Sequence, residues 1–216
     1  MNLSKSVFVA GLALAFGLSV FAGNANAVPK DINMTITKDG KPIGTHVFKF
    51  SGSDESLRVD VETHTKVKLL FLKFTYDHQR TEMWNGAKFQ SLKSKTDDDG
   101  TPHELDIKAS GSAISGMADG KPISKGGAAL PVTFWNADVL LNKNLFSALH
   151  GKDFDLEWKK LPDEEVMVEG KMVQANVYET KSASGDLDRK LWYSKDGEFL
   201  KTKFKKKGYD IEWIRE

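Results

Sequence analysis

The sequence predicts an all-β protein built on one curved antiparallel sheet, with its strands in meander order and one short helix. Turn signals of the Asn-Gly and Asp-Gly type recur every ten to twenty residues. Between them lie runs rich in β-branched and aromatic residues, and a single segment has helical spacing. Many short strands joined by tight turns are typical of a barrel, a half-barrel or a strongly curved sheet.

Residues 1–27 have the features of a cleaved secretory signal peptide. Lys5 gives the N-terminal region a positive charge, and residues 7–21 form an apolar run. Ala25-Asn26-Ala27 then matches a small-residue cleavage site. The apolar run is shorter than the roughly 20 residues that a membrane-spanning helix needs. We therefore expect a periplasmic protein, exported through a Sec-type signal peptide. Residues 28–216 would then form a single β-rich domain without a transmembrane span.

Charge and composition exclude several classes of protein. The 31 basic and 30 acidic residues give a formal charge of +1, whereas a general nucleic-acid binder would carry a basic excess. The chain has no cysteine, which excludes a disulfide scaffold, a thiolate metal site and a cysteine nucleophile. We expect no nucleic-acid partner, no cofactor and no metal.

Ten or more strands are expected, most of them in hairpins. In the segment 57–67, for example, apolar and threonine side chains alternate with charged ones, as expected for a strand with one buried face. The expected strands cover residues 31–38, 43–50, 57–67, 68–84, 87–95, 103–109, 154–160, 167–179, 187–194, 199–206 and 209–214.

One helix is expected after Asn136. Leu141, Leu145 and Leu149 recur at every fourth position, which places them on one helical face. Gly151 follows at a position typical of a helix end. The apolar face of this helix must be buried, so we expect the helix to be a lid or plug on the concave face of the sheet.

Two polar rows admit a functional and a plain interpretation. Asp60, Glu62 and His64 share one strand face and could hold a metal or serve an enzyme, but a solvated strand face is the alternative. A row of lysines could dock on anionic lipid headgroups, or could be a solvated face that protects a strand. The lysines are Lys201, Lys203, Lys205 and Lys207. We assign no catalytic or metal-binding residue.

Apolar side chains favour a ligand cavity. The segment 69–74 is apolar on both strand faces, so a helix, a partner or a ligand must cover its second face. Five tryptophans lie in separate segments, and a closed sheet would bring several indoles toward one interior. An ordinary aromatic core is the alternative. The expected ligand-binding residues are Phe71, Phe74, Trp84, Trp135, Leu145, Trp158 and Trp192.

Short motifs follow one another along most of residues 28–216: Trp84-Asn85-Gly86, Lys95-Thr96 with Gly100, Phe134-Trp135-Asn136, Gly151, Gly170, and Leu191-Trp192-Tyr193 with Asp196-Gly197. Their order resembles an uncharacterised family of small proteobacterial proteins with signal peptides, classed as a domain of unknown function. The resemblance lends no catalytic residues. More distantly, the layout is similar to half-barrel carriers of the LolA type, which implies a curved sheet with a helical lid that holds acyl chains.

These observations lead to an expected function. The first hypothesis is a non-enzymatic periplasmic carrier for an apolar or amphipathic small molecule, such as a lipid. The alternatives are a cell-envelope interaction module with a protein partner, and a small-molecule enzyme on the same β scaffold.

Overall fold

The structure is a computed structural model that describes residues 28–69, 72–140, 142–185 and 187–216. The predicted signal peptide (1–27), the candidate residue Phe71 and the predicted helix residue Leu141 lie outside the described residues.

Strands make up most of the described chain, together with one helix, α1, at Ala137–Leu140. The strands are β1 Ile32–Lys38, β2 Lys41–Ser53, β3 Ser56–Leu69, β4 Leu72–Asn85, β5 Lys88–Asp98, β6 Thr101–Ser110, β7 Ala113–Ala118, β8 Lys121–Gly126, β9 Leu130–Pro131, β10 Leu145–Phe146, β11 Asp153–Phe154, β12 Leu156–Val168, β13 Lys171–Ser182, β14 Arg189–Ser194, β15 Phe199–Lys206 and β16 Tyr209–Arg215.

Thirteen of these strands form one curved antiparallel sheet. Its order is β12-β13-β14-β15-β16-β1-β2-β3-β4-β5-β6-β7-β8, so sequential strands are neighbours except where β16 pairs with β1. That pairing joins Met34 to Arg215 and Lys38 to Ile211, and it brings the two ends of the described chain together. A small second sheet contains β9, β10 and β11. The prediction of an all-β, curved meander sheet is confirmed.

Tight turns join the strands where the sequence predicts them. Asp39 and Gly40 have φ angles of 47° and 78°, and Asp119 and Gly120 have 49° and 74°. Both residues of each pair are therefore left-handed, as in the two-residue hairpin turns whose twist matches that of the flanking strands.

Alternation along the strands separates a buried concave face from an outer one. In β3, Val59, Val61 and Thr63 are buried, whereas Glu62 and His64 are exposed. The buried side chains pack against the segment between β8 and β12, which lies on the concave side of the sheet. The buried residues that this segment adds to the core are Ala129, Val132, Val139, Leu145, Phe146 and Ala148.

The predicted helix is wrong in extent. Helix α1 has only four residues, and Leu145 belongs to β10. The backbone N–H of Asn144 donates to Oδ1 of Asn142 at 2.8 Å, and Ser147 Oγ accepts from the N–H groups of Leu149 and His150 at 3.2 Å each. Such side chain to backbone hydrogen bonds favour turns over a helix. The segment still contributes to the core on the concave face, but as turns, one helical turn and the short strands β9, β10 and β11.

The lysine row lies on the outer face of β15. Lys201 and Lys203 contact Glu212 at 3.1 Å, and Lys203 and Lys205 contact Asp210 at 3.1 and 2.8 Å. These carboxylates pair with the row, which weakens its attraction for anionic lipid. The predicted fourth member, Lys207, instead lies in the turn after β15, where its φ is 51°. Within the described parts of the chain, no helix has the length and apolar character to cross a membrane.

Candidate functional site

An open cleft of about 330 Å³ lies at one end of the central strands of the sheet, where β1 begins and β16 ends. Its apolar part includes Ile32, Phe50 and Trp135, and five charged residues surround that part. They are Lys30, Asp138, Asp196, Glu198 and Arg215.

Antiparallel pairing brings these distant residues together at one end of the strands. This end of the sheet contains the start of β1, the end of β2, the end of β16 and the β14–β15 turn. Asp31 Oδ1 accepts the backbone N–H of Phe50 at 2.9 Å, which fixes the end of β2 against the start of β1. Ser194 Oγ accepts the N–H groups of Asp196 and Glu198 at 3.2 and 3.1 Å, which shapes the β14–β15 turn.

Trp135 joins the cleft to the protein core. Its Nε1–H donates to Oε2 of Glu82 at 3.1 Å, and Nε1–H of Trp84 donates to the same oxygen at 2.8 Å. The Trp135 ring also meets Phe50 and Trp84 edge to face, with centroids 5.4 and 5.8 Å apart. The indole is therefore held in one orientation while part of it remains available to the cleft.

Glu82 holds both indoles in place, because its Oε2 accepts both of their N–H groups. It is fully buried, and its Oε1 lies 2.9 Å from Nε of Arg80, whose side chain is also buried. A buried ion pair is retained at a high desolvation cost, and removal of one partner leaves the other charge uncompensated. The position of Trp135 therefore depends on a charged pair inside the sheet.

The inner face of β4 carries an unusual row of polar and aromatic side chains. His78, Arg80, Glu82 and Trp84 alternate along it, together with Phe74 and Tyr76 nearer the start of the strand. A buried strand face is normally apolar, so this row needs partners from neighbouring strands.

Two buried histidines have threonine partners. His78 Nδ1 lies 2.7 Å from Thr96 Oγ1, and His46 Nδ1 lies 2.7 Å from Thr63 Oγ1. Burial, assisted by the charge of Arg80, lowers the pKa of His78 to about 3. Burial also lowers the pKa of His46 well below its ordinary value, with smaller effects from Arg80, His78 and Arg189. Both imidazoles are therefore neutral at pH 7.

Burial also shifts the pKa values of two tyrosines and one arginine of the interior. Burial and the nearby Asp98 raise the pKa of Tyr76 to about 12, and burial raises that of Tyr193 well above its ordinary value. Burial lowers the pKa of Arg189 to about 10. The Arg189 guanidinium lies 4.8 Å from the ring centre of Phe134. These values favour a structural role over acid–base catalysis, which works best with a pKa near the operating pH.

The expected ligand-binding residues do not share one cavity. Trp135 lines the cleft, whereas Trp84 and Leu145 are fully buried in the core. Trp158 is half-buried and packs against that core. Phe74 is half-buried beside the ammonium groups of two lysines, with Nζ to centroid distances of 5.5 and 5.7 Å.

Trp192 lies on the opposite side of the sheet from the other indoles. Its neighbours Leu191 and Tyr193 face the main core, so the alternation of side chains along a strand turns Trp192 outward. There it packs with Val177 and Leu200, and its Nε1–H donates to Glu164 Oε2 at 2.9 Å. Trp192 therefore lies apart from the cleft and from the other expected ligand-binding residues.

The polar row of β3 lies on the outer face of the sheet. Asp60 accepts hydrogen bonds from Arg58 and Thr81. Glu62 is exposed, and His64 is exposed and pairs with Asp77. Because these side chains point outward, the alternative of a solvated strand face agrees with the structure better than an enzyme or metal site does.

Most residues of the cleft carry no signal in the sequence. Ile32, Phe50 and Arg215 are ordinary strand residues, and no local motif marks them. Glu82 does carry a signal, because it stands two residues before Trp84 on the same strand face. A carboxylate at such a position must find partners if that face is buried.

Comparisons with known proteins identify a family and a fold. The chain matches the DUF6134 family, described as a domain of unknown function, over residues 34–216. The structure is similar to that of a β-barrel-like protein of the domain of unknown function DUF1849 from Brucella abortus. The TM-score is 0.62 and the sequence identity 14%, over 86% of this chain and 94% of that chain. No curated protein matches the sequence. The prediction of an uncharacterised family of β proteins is confirmed.

Proposed function

We propose that this chain, which belongs to the DUF6134 family, is a non-enzymatic periplasmic protein that binds an amphipathic small molecule in the cleft. The observation that carries the proposal is an apolar surface at Ile32, Phe50 and Trp135, bordered by charged side chains. The volume of about 330 Å³ falls within the range of about 300–1,000 Å³ for small-molecule sites.

The charges around the cleft favour a particular polar end on the ligand. The lining contains two cationic residues, Lys30 and Arg215, and three carboxylates. Nη1 of Arg215 already lies 3.0 Å from Oε2 of Glu198. The lining therefore has a net charge of −1, which favours a zwitterionic or cationic headgroup over an anionic one.

Three twelve-carbon amphiphiles with different headgroups test this proposal. The full chain is expressed with its leader, and the exported protein is titrated calorimetrically with dodecylphosphocholine, dodecyltrimethylammonium and laurate, each below its critical micelle concentration. We expect the zwitterionic and cationic compounds to bind more tightly than laurate.

Two tryptophan variants locate the binding site. Trp135→Phe should weaken binding of dodecylphosphocholine about tenfold, or about 1.4 kcal/mol, because it removes part of the apolar surface and the hydrogen bond to Glu82. Trp192→Phe, on the outer face, is the matched control and should bind as the wild type does. Failure of all three compounds to bind, or equal binding by both variants, would contradict the proposal.

A further inference from the structure

We propose that the chain also binds a divalent transition-metal ion, with Zn²⁺ the best fit, through His103, Asp119 and His150. Each of these residues offers one ligand atom, and the three atoms all lie within 4.8 Å of one another. They come from β6, from the β7–β8 turn and from the turn after β10. This group lies at the strand ends opposite to those that form the cleft, so the inference is independent of the proposed function.

Asp119 is oriented before any ion binds. It has a left-handed φ of 49°, and its N–H donates to the carbonyl oxygen of Glu104 at 2.8 Å. Its Oδ1 accepts the N–H of Glu104 at 2.8 Å, and its Oδ2 lies 2.9 Å from Nδ1 of His103. A carboxylate held in this way needs little further ordering when it becomes a metal ligand.

His150 is held by its turn. Ser147 Oγ accepts the N–H of His150, and the Ser147 carbonyl accepts the N–H of Gly151 at 2.8 Å. Gly151 is left-handed, with φ of 65°. The His150 ring meets that of His103 edge to face, with centroids 4.5 Å apart. Two imidazoles from different segments thus converge on one carboxylate.

The ligand set and its exposure suit a zinc ion. Two imidazoles and one carboxylate, with a position left for water, are a common zinc arrangement, and bonds of about 2.0–2.2 Å place ligand atoms about 3.3 Å apart. The group must therefore contract by up to about 1.5 Å, which rotation of side chains can supply. The Asp119 side chain is 41% exposed and that of His103 is 18% exposed, so an ion can enter from solvent.

The test uses the exported protein, freed of metal with a chelator and titrated calorimetrically with Zn²⁺. Wild type should bind one Zn²⁺ per chain. His150→Ala and Asp119→Asn should each raise the Kd at least tenfold. His64→Ala is the matched control, because His64 also pairs with an aspartate but lies on the outer face. It should leave the Kd unchanged.

A second measurement needs no substitution. Co²⁺ added to the wild type should shift the imidazole NMR signals of His103 and His150 far more than that of His64. The proposal is overturned if wild type does not bind Zn²⁺, if His150→Ala binds as tightly as wild type, or if His64 shifts as much as the other two histidines.

Discussion

The two buried histidines should make the protein unstable in mild acid. His78 has a pKa of about 3 in the folded protein, against about 6.5 for an unperturbed histidine. Between these values the unfolded chain binds one more proton than the folded one, so the free energy of unfolding falls as the pH falls. The stabilisation is fully present above pH 6.5 and is lost progressively below it.

The size of this effect follows from the linkage relation. One histidine that is neutral in the folded state contributes a loss of about 2 kcal/mol between pH 7 and pH 5. His46, whose pKa burial also lowers well below its ordinary value, should add to this loss. The loss from His78 alone is a sizeable part of the roughly 5–15 kcal/mol that stabilises a typical domain.

Urea denaturation at several pH values, followed by tryptophan fluorescence, measures this loss. His78→Gln should be less stable than wild type at pH 7, because His78 is buried beside Thr96, but its stability should fall by about 2 kcal/mol less between pH 7 and pH 5. Gln79→Ala, on the exposed outer face of the same strand, removes no ionisable group and should keep the wild-type pH dependence. A wild-type stability that is flat between pH 7 and pH 5, or an unchanged slope in His78→Gln, would show that the buried histidines do not set this pH dependence.

Three further substitutions test the packing, each by urea denaturation at pH 7. Glu82→Gln keeps an acceptor for the two indoles but leaves the buried Arg80 uncompensated, so it should cost about 3–5 kcal/mol; a cost below 1 kcal/mol would mean that the ion pair is unimportant. Gly151→Ala should cost about 1–3 kcal/mol, because φ is 65° and the new Cβ would lie 2.7 Å from Cδ1 of Ile123; a neutral result would contradict the turn geometry. Lys203→Ala should change stability by at most about 1 kcal/mol, as for other surface ion pairs, and a larger loss would show that its carboxylate partners depend on it.

The strands and turns could be predicted because their signals are local. The alternation of Val59, Val61 and Thr63 with charged residues has the period of a strand, and Asp39-Gly40 has the composition of a hairpin turn. Such patterns depend on a few adjacent residues, and the structure keeps them.

The helix and the outward tryptophan could not be predicted in this way. Leucine spacing favours a helix after Asn136, but the hydrogen bonds of Asn142 and Ser147 outweigh it. Leu191, Trp192 and Tyr193 are all buried, because this part of the sheet is covered on both faces. Alternation alone does not say which of the two faces is the concave one.

The cleft depends on pairing between distant parts of the chain. Ile32 and Arg215 lie close together at the strand ends only because β1 pairs with β16. Likewise, Trp135 reaches the cleft because Glu82 holds it from the inside. No short motif encodes either relation, so Trp135 alone among the cleft residues could be predicted from the sequence.

Native mass spectrometry with organic extraction of the exported protein shows whether the cleft holds a small molecule. We expect a co-purifying small molecule with an apolar body and a zwitterionic or cationic end. Wild type and Trp192→Phe should retain it, and Trp135→Phe should lose it. A wild-type protein that carries no small molecule, or one retained equally by Trp135→Phe, would contradict the claim.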